Sequence, residues 1–228
     1  MIPILLVTIH AGISQNPKFP PTNDLASDSS LAQFITRLKK AVAEKDVKYV
    51  ISVLDKKVGG GFDTEGGIDA FVETWELKND STFFWGFLSR ALDLSGAYVN
   101  DPHDETGRYE VVFPYLYNFE PALEDDYFAL GCITGQHVNL RADHDTKAKV
   151  VTQLSYDVIW FLYEDPSGET QYGTNVFGEP EWYLVETYDH AYKGWVFWKY
   201  VYSMVGPRLF LYKNPKGKWL ISFFVVGD

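Results

Sequence analysis

Residues 133–154, "ITGQHVNLRADHDTKAKVVTQL", decide the fold class of the second half of the chain. Two runs that look extended, His137–Arg141 and Val150–Leu154, flank the polar stretch 142–149. Apolar and polar residues alternate in the first run, which is the pattern of a strand with one buried face. The stretch therefore predicts two neighbouring strands joined by a turn.

The polar stretch contains three potential metal ligands, Asp143, His144 and Asp145. Calcium loops use alternating ligands, a tight glycine and a distal bidentate carboxylate, and zinc sites need more ligands at ordered spacing. Neither pattern is present, so a solvated turn without metal is expected. His103 and His190 are interpreted in the same way.

Further extended runs follow residue 126 and alternate with turns. They predict a small β-barrel of short strands: Ala129–Thr134, Val158–Tyr163, Trp182–Glu186 and Gly194–Val196. The stretch 164–181 is predicted to be a long exposed hairpin tip. The chain closes with a predicted hairpin, Leu209–Tyr212 and Trp219–Val226, around the turn 214–217.

The first half of the chain shows helical periodicity instead. Ser29 or Ser30 is a good N-cap residue, and five apolar residues follow at helical spacing: Leu31, Phe34, Ile35, Leu38 and Val42. A second short helix is predicted at Val47–Leu54. In all, residues 31–96 are expected to form three or four helices, with a last helix capped by Asp80 or Ser81, and a pair of strands then follows near Tyr98 and at Tyr109–Tyr115.

The N-terminal sequence predicts export. Residues 2–9 are apolar, and Gly12 and Ser14 have the spacing of a signal-peptidase site, although no Lys or Arg precedes the run. A buried N-terminal strand is the alternative. We expect a signal peptide at 1–14, a flexible leader at 15–30, and a protein of the periplasm or the extracellular space.

Composition narrows the function classes. The formal net charge is −11, which disfavours nucleic-acid binding. No segment is long and apolar enough to predict a membrane span. The single cysteine, Cys132, excludes an intrachain disulfide and is expected to be a buried strand residue. No nucleophile, zinc-protease or phosphate-loop motif is present, so we predict no catalytic residue, no metal and no cofactor.

Residues 133–202 resemble the bacterial SH3-like domain. The resemblance rests on Val138-Asn139-Leu140-Arg141, a second strand at Val150–Leu154, the segment Trp182–Val185, and Gly194-Trp195-Val196 with the strand end after it. It implies a small SH3-like barrel. The loop 163–182 is longer than that family usually shows, and "YDHAYKGWV" replaces its usual Asp-Gly turn.

The whole chain is also similar to secreted proteins of bacteroidete type. These place a helical N-terminal region before an SH3-like barrel and end in a hairpin matched here by Trp219, Phe224, Gly227 and Asp228. The resemblance implies an exported protein of the cell envelope without an assigned activity.

Aromatic residues are the strongest binding signal, since they make up 17% of the chain and a small barrel cannot bury them all. The residues predicted to line a groove are Tyr188, Tyr192, Trp198, Tyr200 and Arg141. The groove is expected to take a peptidoglycan stem peptide or a peptide of an envelope protein, without catalysis. The alternative is a cell-wall hydrolase that uses acidic residues of the N-terminal domain, such as Asp63 and Glu65.

These inferences together predict an α+β chain. A helical N-terminal domain at 31–126 is followed by an SH3-like barrel at 127–204 and a C-terminal hairpin at 205–228, for which packing on the N-terminal domain is one option.

Overall fold

The computed structural model describes residues 16–61, 66–79, 81–99, 110–122, 125–163 and 168–227. Within them the chain folds into four α-helices and two β-sheets, and strands predominate. The predicted α+β class is therefore confirmed. The signal peptide predicted at 1–14 lies outside the described residues.

The first sheet has five strands in the order β1-β13-β12-β3-β2. Its strands are β1 (Leu54–Gly59), β2 (Ala97–Tyr98), β3 (Val111–Phe113), β12 (Arg208–Lys213) and β13 (Trp219–Val225). Four helices accompany it: α1 (Ser29–Ala43), α2 (Val47–Ser52), α3 (Ile68–Thr74) and α4 (Phe84–Asp93). One core contains side chains from these helices and from the inner strands, including Leu38, Phe71, Leu88 and Phe224.

The second sheet has eight strands, ordered β11-β4-β7-β9-β10-β5-β6, with β8 paired to β9. Their bounds are β4 (Leu130–Ile133), β5 (Val138–Arg141), β6 (Val150–Leu154), β7 (Val158–Phe161), β8 (Gln171–Tyr172), β9 (Trp182–Thr187), β10 (Lys193–Phe197) and β11 (Val201–Ser203). All pairs in this sheet are antiparallel, so short turns can join the neighbours that follow one another in the chain, such as β5–β6 and β9–β10.

The second sheet is open among the described residues. Its end strands, β11 and β6, do not pair with each other, and no closed barrel is found. The SH3-like barrel thus stays a prediction. The alternation predicted for β5 is present, because Val138 and Leu140 are buried while Asn139 and Arg141 are half-buried.

The C-terminal hairpin lies at the centre of the first sheet. β13 pairs with β1 in parallel, and β12 pairs with β3 antiparallel. The last strands of the chain therefore complete a sheet that begins in the N-terminal half. The eight-stranded sheet is built from the intervening residues, and a shared cluster that includes Ala97, Leu116, Leu130 and Val158 packs the two parts together.

Helix α1 begins one residue earlier than the sequence predicts. Asp28, not Ser29 or Ser30, is the N-cap, and its carboxylate accepts from the backbone N–H of Leu31 at 2.9 Å. Ser30 donates to the same carboxylate at 2.6 Å. Hydrogen bonding from Ser30, then from Leu31, and the nearby Lys213 lower the pKa of Asp28 to about 2. An ionised cap at this end is also favoured by the helix dipole.

Two predicted helix boundaries are wrong. Residues from Leu54 form β1 and not the end of the second helix, because the strand pairs with Ile221 of β13. The apolar residues Leu54 and Val58 are four positions apart, a spacing that fits a helix as well as a strand. The sequence alone therefore favoured a continuation of the second helix. Helix α4 begins at Phe84, and its N-cap, Phe83, makes no side-chain capping bond.

The segments predicted to be a flexible leader and an exposed hairpin tip both make contacts. Lys18 forms an ion pair of 2.9 Å with the buried carboxylate of Asp157, and Phe19 stacks on Tyr115. In the long loop, Phe177 lies against Gly86 of α4 and Trp198. Phe177 therefore anchors the loop to α4 and Trp198, while most of the described loop residues, including Tyr172 and Val176, are exposed as predicted.

A candidate ligand-binding groove

One open groove of about 420 Å³ lies on the second sheet. Its walls come from the start of β5, the turn after it, and the strands β9 and β10. We call it the Arg141 groove; its lining residues are Gln136, His137, Val138, Asn139, Arg141, Thr146, Trp182, Phe197 and Tyr200.

Strand pairing fixes Arg141 in the groove. Its backbone lies opposite Trp195 of β10, and its Nη1 donates to the carbonyl oxygen of Ala148 at 2.8 Å. This bond ties the guanidinium to the turn between β5 and β6, and among the described residues it is the one hydrogen bond that engages the five N–H donors. The remaining fork suits a planar carboxylate.

Three aromatic side chains form the opposite wall. Trp182 and Phe197 face each other across the β9–β10 pair with ring centroids 5.2 Å apart, and Tyr200 follows at 6.4 Å from Phe197. Trp182 is buried, whereas Tyr200 remains 49% exposed. One end of the aromatic wall is therefore buried in the core and the other end is exposed to solvent. Aromatic residues at binding sites often have this partial exposure.

The charge of the groove differs from that of the whole chain. Among its described lining residues there is one permanent cation, Arg141, and no Asp or Glu, although the chain carries a net charge of −11. The lining also includes the imidazole of His137, whose backbone φ of 54° turns the chain into β5. An anionic group entering the groove would meet a cation and no lining carboxylate.

Two of the five predicted groove residues, Arg141 and Tyr200, lie in this groove. Tyr188 instead stacks on Trp160 and donates to the carboxylate of Asp125 at 2.8 Å. Because these contacts half-bury its ring, Tyr188 is a packing residue.

Trp198 and Tyr192 also lie apart from the groove lining. Trp198 is half-buried between the rings of Phe177 and Phe197 and the guanidinium of Arg90. Tyr192 is 49% exposed, but its backbone closes the turn after β9 by pairing with Thr187. The sequence could not separate these residues from Tyr200, since their surroundings come from loops that are distant in sequence.

In the turn between β5 and β6, His144 packs against aromatic side chains. His144 stacks on Tyr172 with ring centroids 3.6 Å apart and meets Trp195 edge-on at 5.1 Å. Its Nδ1 lies 2.9 Å from Asp143, in a geometry too bent for a good hydrogen bond. No group of three or more His, Cys, Asp or Glu among the described residues could hold a metal ion.

Cys132 is a buried residue of β4. Burial, with the charge of Asp157 as a second cause, raises the pKa of its thiol to about 12. A thiol with such a pKa is a poor nucleophile at neutral pH. Asp63 and Glu65, the acidic residues of the hydrolase alternative, and His103 lie outside the described residues.

Several groove residues were missed by the sequence analysis. Trp182 was predicted only as a strand residue, Phe197 lies just beyond the predicted strand Gly194–Val196, and His137 and Gln136 were not considered as ligand contacts. The available signal was their position at the ends of predicted strands, where side chains from different strands converge.

Comparison with known proteins finds no match to the chain among protein-family models, curated proteins or solved structures. Among the described residues, no helix is long and apolar enough to cross a bilayer.

Proposed function

We propose that this protein is a non-catalytic recognition module of the bacterial cell envelope. In this proposal, residues 127–204 form an SH3-like module, and its Arg141 groove binds the stem peptide of peptidoglycan. The expected export at 1–14 and a periplasmic or extracellular location belong to the same proposal.

The observation that carries the proposal is the pairing of Arg141 with an aromatic wall in a groove whose described lining has no carboxylate. Stem peptides carry free carboxylates, which match a guanidinium fork. Gln136 and Asn139 also line the groove, and amide side chains suit the backbone of an extended peptide, although the Asn139 oxygen already accepts from Gln153 at 3.0 Å. The volume of about 420 Å³ is in the range of small-ligand sites.

The chemistry of the groove favours binding over turnover. The acid–base side chains in its described lining are His137 and Tyr200; that lining holds no Asp, Glu, Ser, Cys or Lys, and its aliphatic hydroxyl, that of Thr146, has no hydrogen bond to His137 among the described residues. Catalysis by a histidine base requires such a partner within hydrogen-bond reach.

The test uses the purified full chain and two forms of one soluble stem peptide. Isothermal titration should show saturable binding to the peptide with free carboxylates and markedly weaker binding to the same peptide with its carboxylates amidated. Incubation with purified sacculi should retain the protein on the wall and release no muropeptides. Equal affinity for both peptides, or muropeptide release that is lost in Asp63→Ala or Glu65→Ala, would overturn the proposal.

A further inference from the structure

A second groove, of about 400 Å³, lies at the first sheet and its helices. It is formed by α1, α2 and the turn between β12 and β13, and none of its described lining residues lines the Arg141 groove. We call it the Arg37 groove; its lining residues are Ser30, Gln33, Phe34, Arg37, Tyr49, Ser52, Val53, Gly217, Lys218 and Trp219.

Arg37 is exposed and lies over the ring of Tyr49, 4.7 Å from its centroid. Within the part of the chain that the structure describes, its guanidinium makes no hydrogen bond or ion pair. The contact with the ring orients the side chain, and the N–H donors of the guanidinium are left for a ligand. This is the arrangement of a preorganised anion receptor, since the donors are positioned but not used.

Lys218 supplies a second positive charge at the same groove. Its Nζ donates to the carbonyl oxygen of Ser52 at 3.0 Å, which is a neutral partner, and no described residue forms an ion pair with this ammonium. No Asp or Glu occurs among the described lining residues. The cap carboxylates of both helices are already bound: Asp28 by Ser30, Leu31 and Lys213, and Asp46 by the backbone N–H of Tyr49.

The groove also offers apolar surface. Phe34 and Tyr49 are half-buried, and Trp219 closes the base, where its Nε1 donates to Ser30 at 3.0 Å. A ligand that is only an ion would leave these rings unused. A ligand with a flat ring next to its charged group would contact both the cationic side chains and the aromatic rings of the groove.

We propose that the Arg37 groove binds a small organic anion, with a carboxylate or phosphate at Arg37 and Lys218 and a ring on Phe34 and Tyr49. The site is independent of the function proposed for the Arg141 groove, because the two grooves share no described lining residue. Its failure and the failure of stem-peptide binding are therefore separately observable.

The experiment is a titration of the isotope-labelled full chain followed by amide chemical shifts. The probes are benzoate, phenyl phosphate and benzyl alcohol, which share a ring and differ in charge. Saturable shifts at α1 and at the 214–218 turn are expected with one or both anions and not with the alcohol. The anion that binds more tightly identifies the charged group that the site prefers.

Two single-charge variants complete the test. Arg37→Gln should weaken binding of the preferred anion about tenfold or more, as loss of a charge-assisted contact predicts. Lys39→Gln changes the net charge equally on the same helix, outside the described lining of the groove, and should change affinity less than about twofold. The proposal is overturned if no anion saturates, if benzyl alcohol binds equally well, or if both variants behave alike.

Discussion

Arg90 of α4 and Glu179 of the loop before β9 form an ion pair, with Nη1 2.8 Å from Oε2. The same guanidinium donates through Nη2 to the carbonyl oxygen of Val201 at 3.1 Å. It also lies 5.2 Å from the ring centroids of both Trp198 and Tyr202. One side chain from the first half of the fold thus contacts a loop, a strand and two rings of the second.

Removal of this side chain should destabilise the protein. Arg90→Ala leaves the Glu179 carboxylate without its partner in a site where the arginine side chain is only 11% exposed. We expect a loss of about 2–4 kcal/mol in the free energy of unfolding, measured by denaturant titration. Lys40→Ala, which removes an exposed partner 3.9 Å from Glu44, is the control and should change stability by no more than about 0.5 kcal/mol. Equal effects of the two variants would contradict a stabilising role of the Arg90–Glu179 ion pair.

Gly194 allows β10 to approach β5 closely. A Cβ at this position would lie 2.5 Å from the carbonyl oxygen of Arg141 and 3.0 Å from Cγ of Leu140. Gly194→Ala should therefore cost about 1–3 kcal/mol of stability through overpacking.

The matched control for this variant is Gly135→Ala. There the nearest atom to a new Cβ is Cγ2 of Val138 at 3.4 Å, an ordinary contact, so thermal unfolding should change little. An unchanged midpoint of thermal unfolding for Gly194→Ala would mean that β5 and β10 are farther apart than a 2.5 Å approach to the Arg141 carbonyl requires.

The cap at Asp28 predicts a defined pH dependence. Its pKa is lowered to about 2 in the folded state, from a usual value of 3.8, so its stabilising contribution is present above pH 4. That contribution is lost as the pH falls from about 4 to about 2, because the unfolded chain binds the proton first.

Stability curves of the wild type and Asp28→Asn should therefore converge over this acidic window. Asparagine keeps the capping acceptor but does not titrate there. Carboxyl chemical shifts of Asp28 should give a midpoint near pH 2. A midpoint near 3.8 would mean that Ser30 and Leu31 do not hold the carboxylate in solution.

The buried thiol of Cys132 should be unreactive in the folded protein. With a pKa raised to about 12, it carries almost no thiolate at pH 8, and its side chain is enclosed in the core. An aromatic disulfide reagent should modify it slowly in buffer and rapidly in denaturant. Stoichiometric modification within seconds under native conditions would contradict the burial of this thiol and would make cysteine-based catalysis a hypothesis to test.

Local sequence patterns predicted most of the strands and helices, because their signal lies within the element itself. Alternation at Val138–Arg141 and helical spacing from Leu31 to Val42 both correspond to observed elements. Strand β1 was not predicted, since its identity depends on β13, which lies more than 150 residues away. An edge strand with only two buried side chains carries little periodicity of its own.

The Arg141 groove was also predicted only in part, because its lining depends on residues that are distant in sequence. Exposure of Tyr200 and burial of Trp198 depend on whether Phe177 and Arg90 reach them, and both approach from elsewhere in the chain. Composition shows that some aromatic side chains must remain exposed, but it does not identify them. The Arg37 groove was not predicted at all, because it joins α1 and α2 to the C-terminal turn.

The most direct test of the proposed function compares two tyrosines that are each 49% exposed. Tyr200 lines the Arg141 groove and Tyr192 does not. Isothermal titration with a soluble stem peptide should show affinity reduced about fivefold to a hundredfold in Tyr200→Ala, as loss of one aromatic contact predicts. Tyr192→Ala should bind like the wild type. Equal affinity of all three proteins, or a loss confined to Tyr192→Ala, would contradict recognition through this groove.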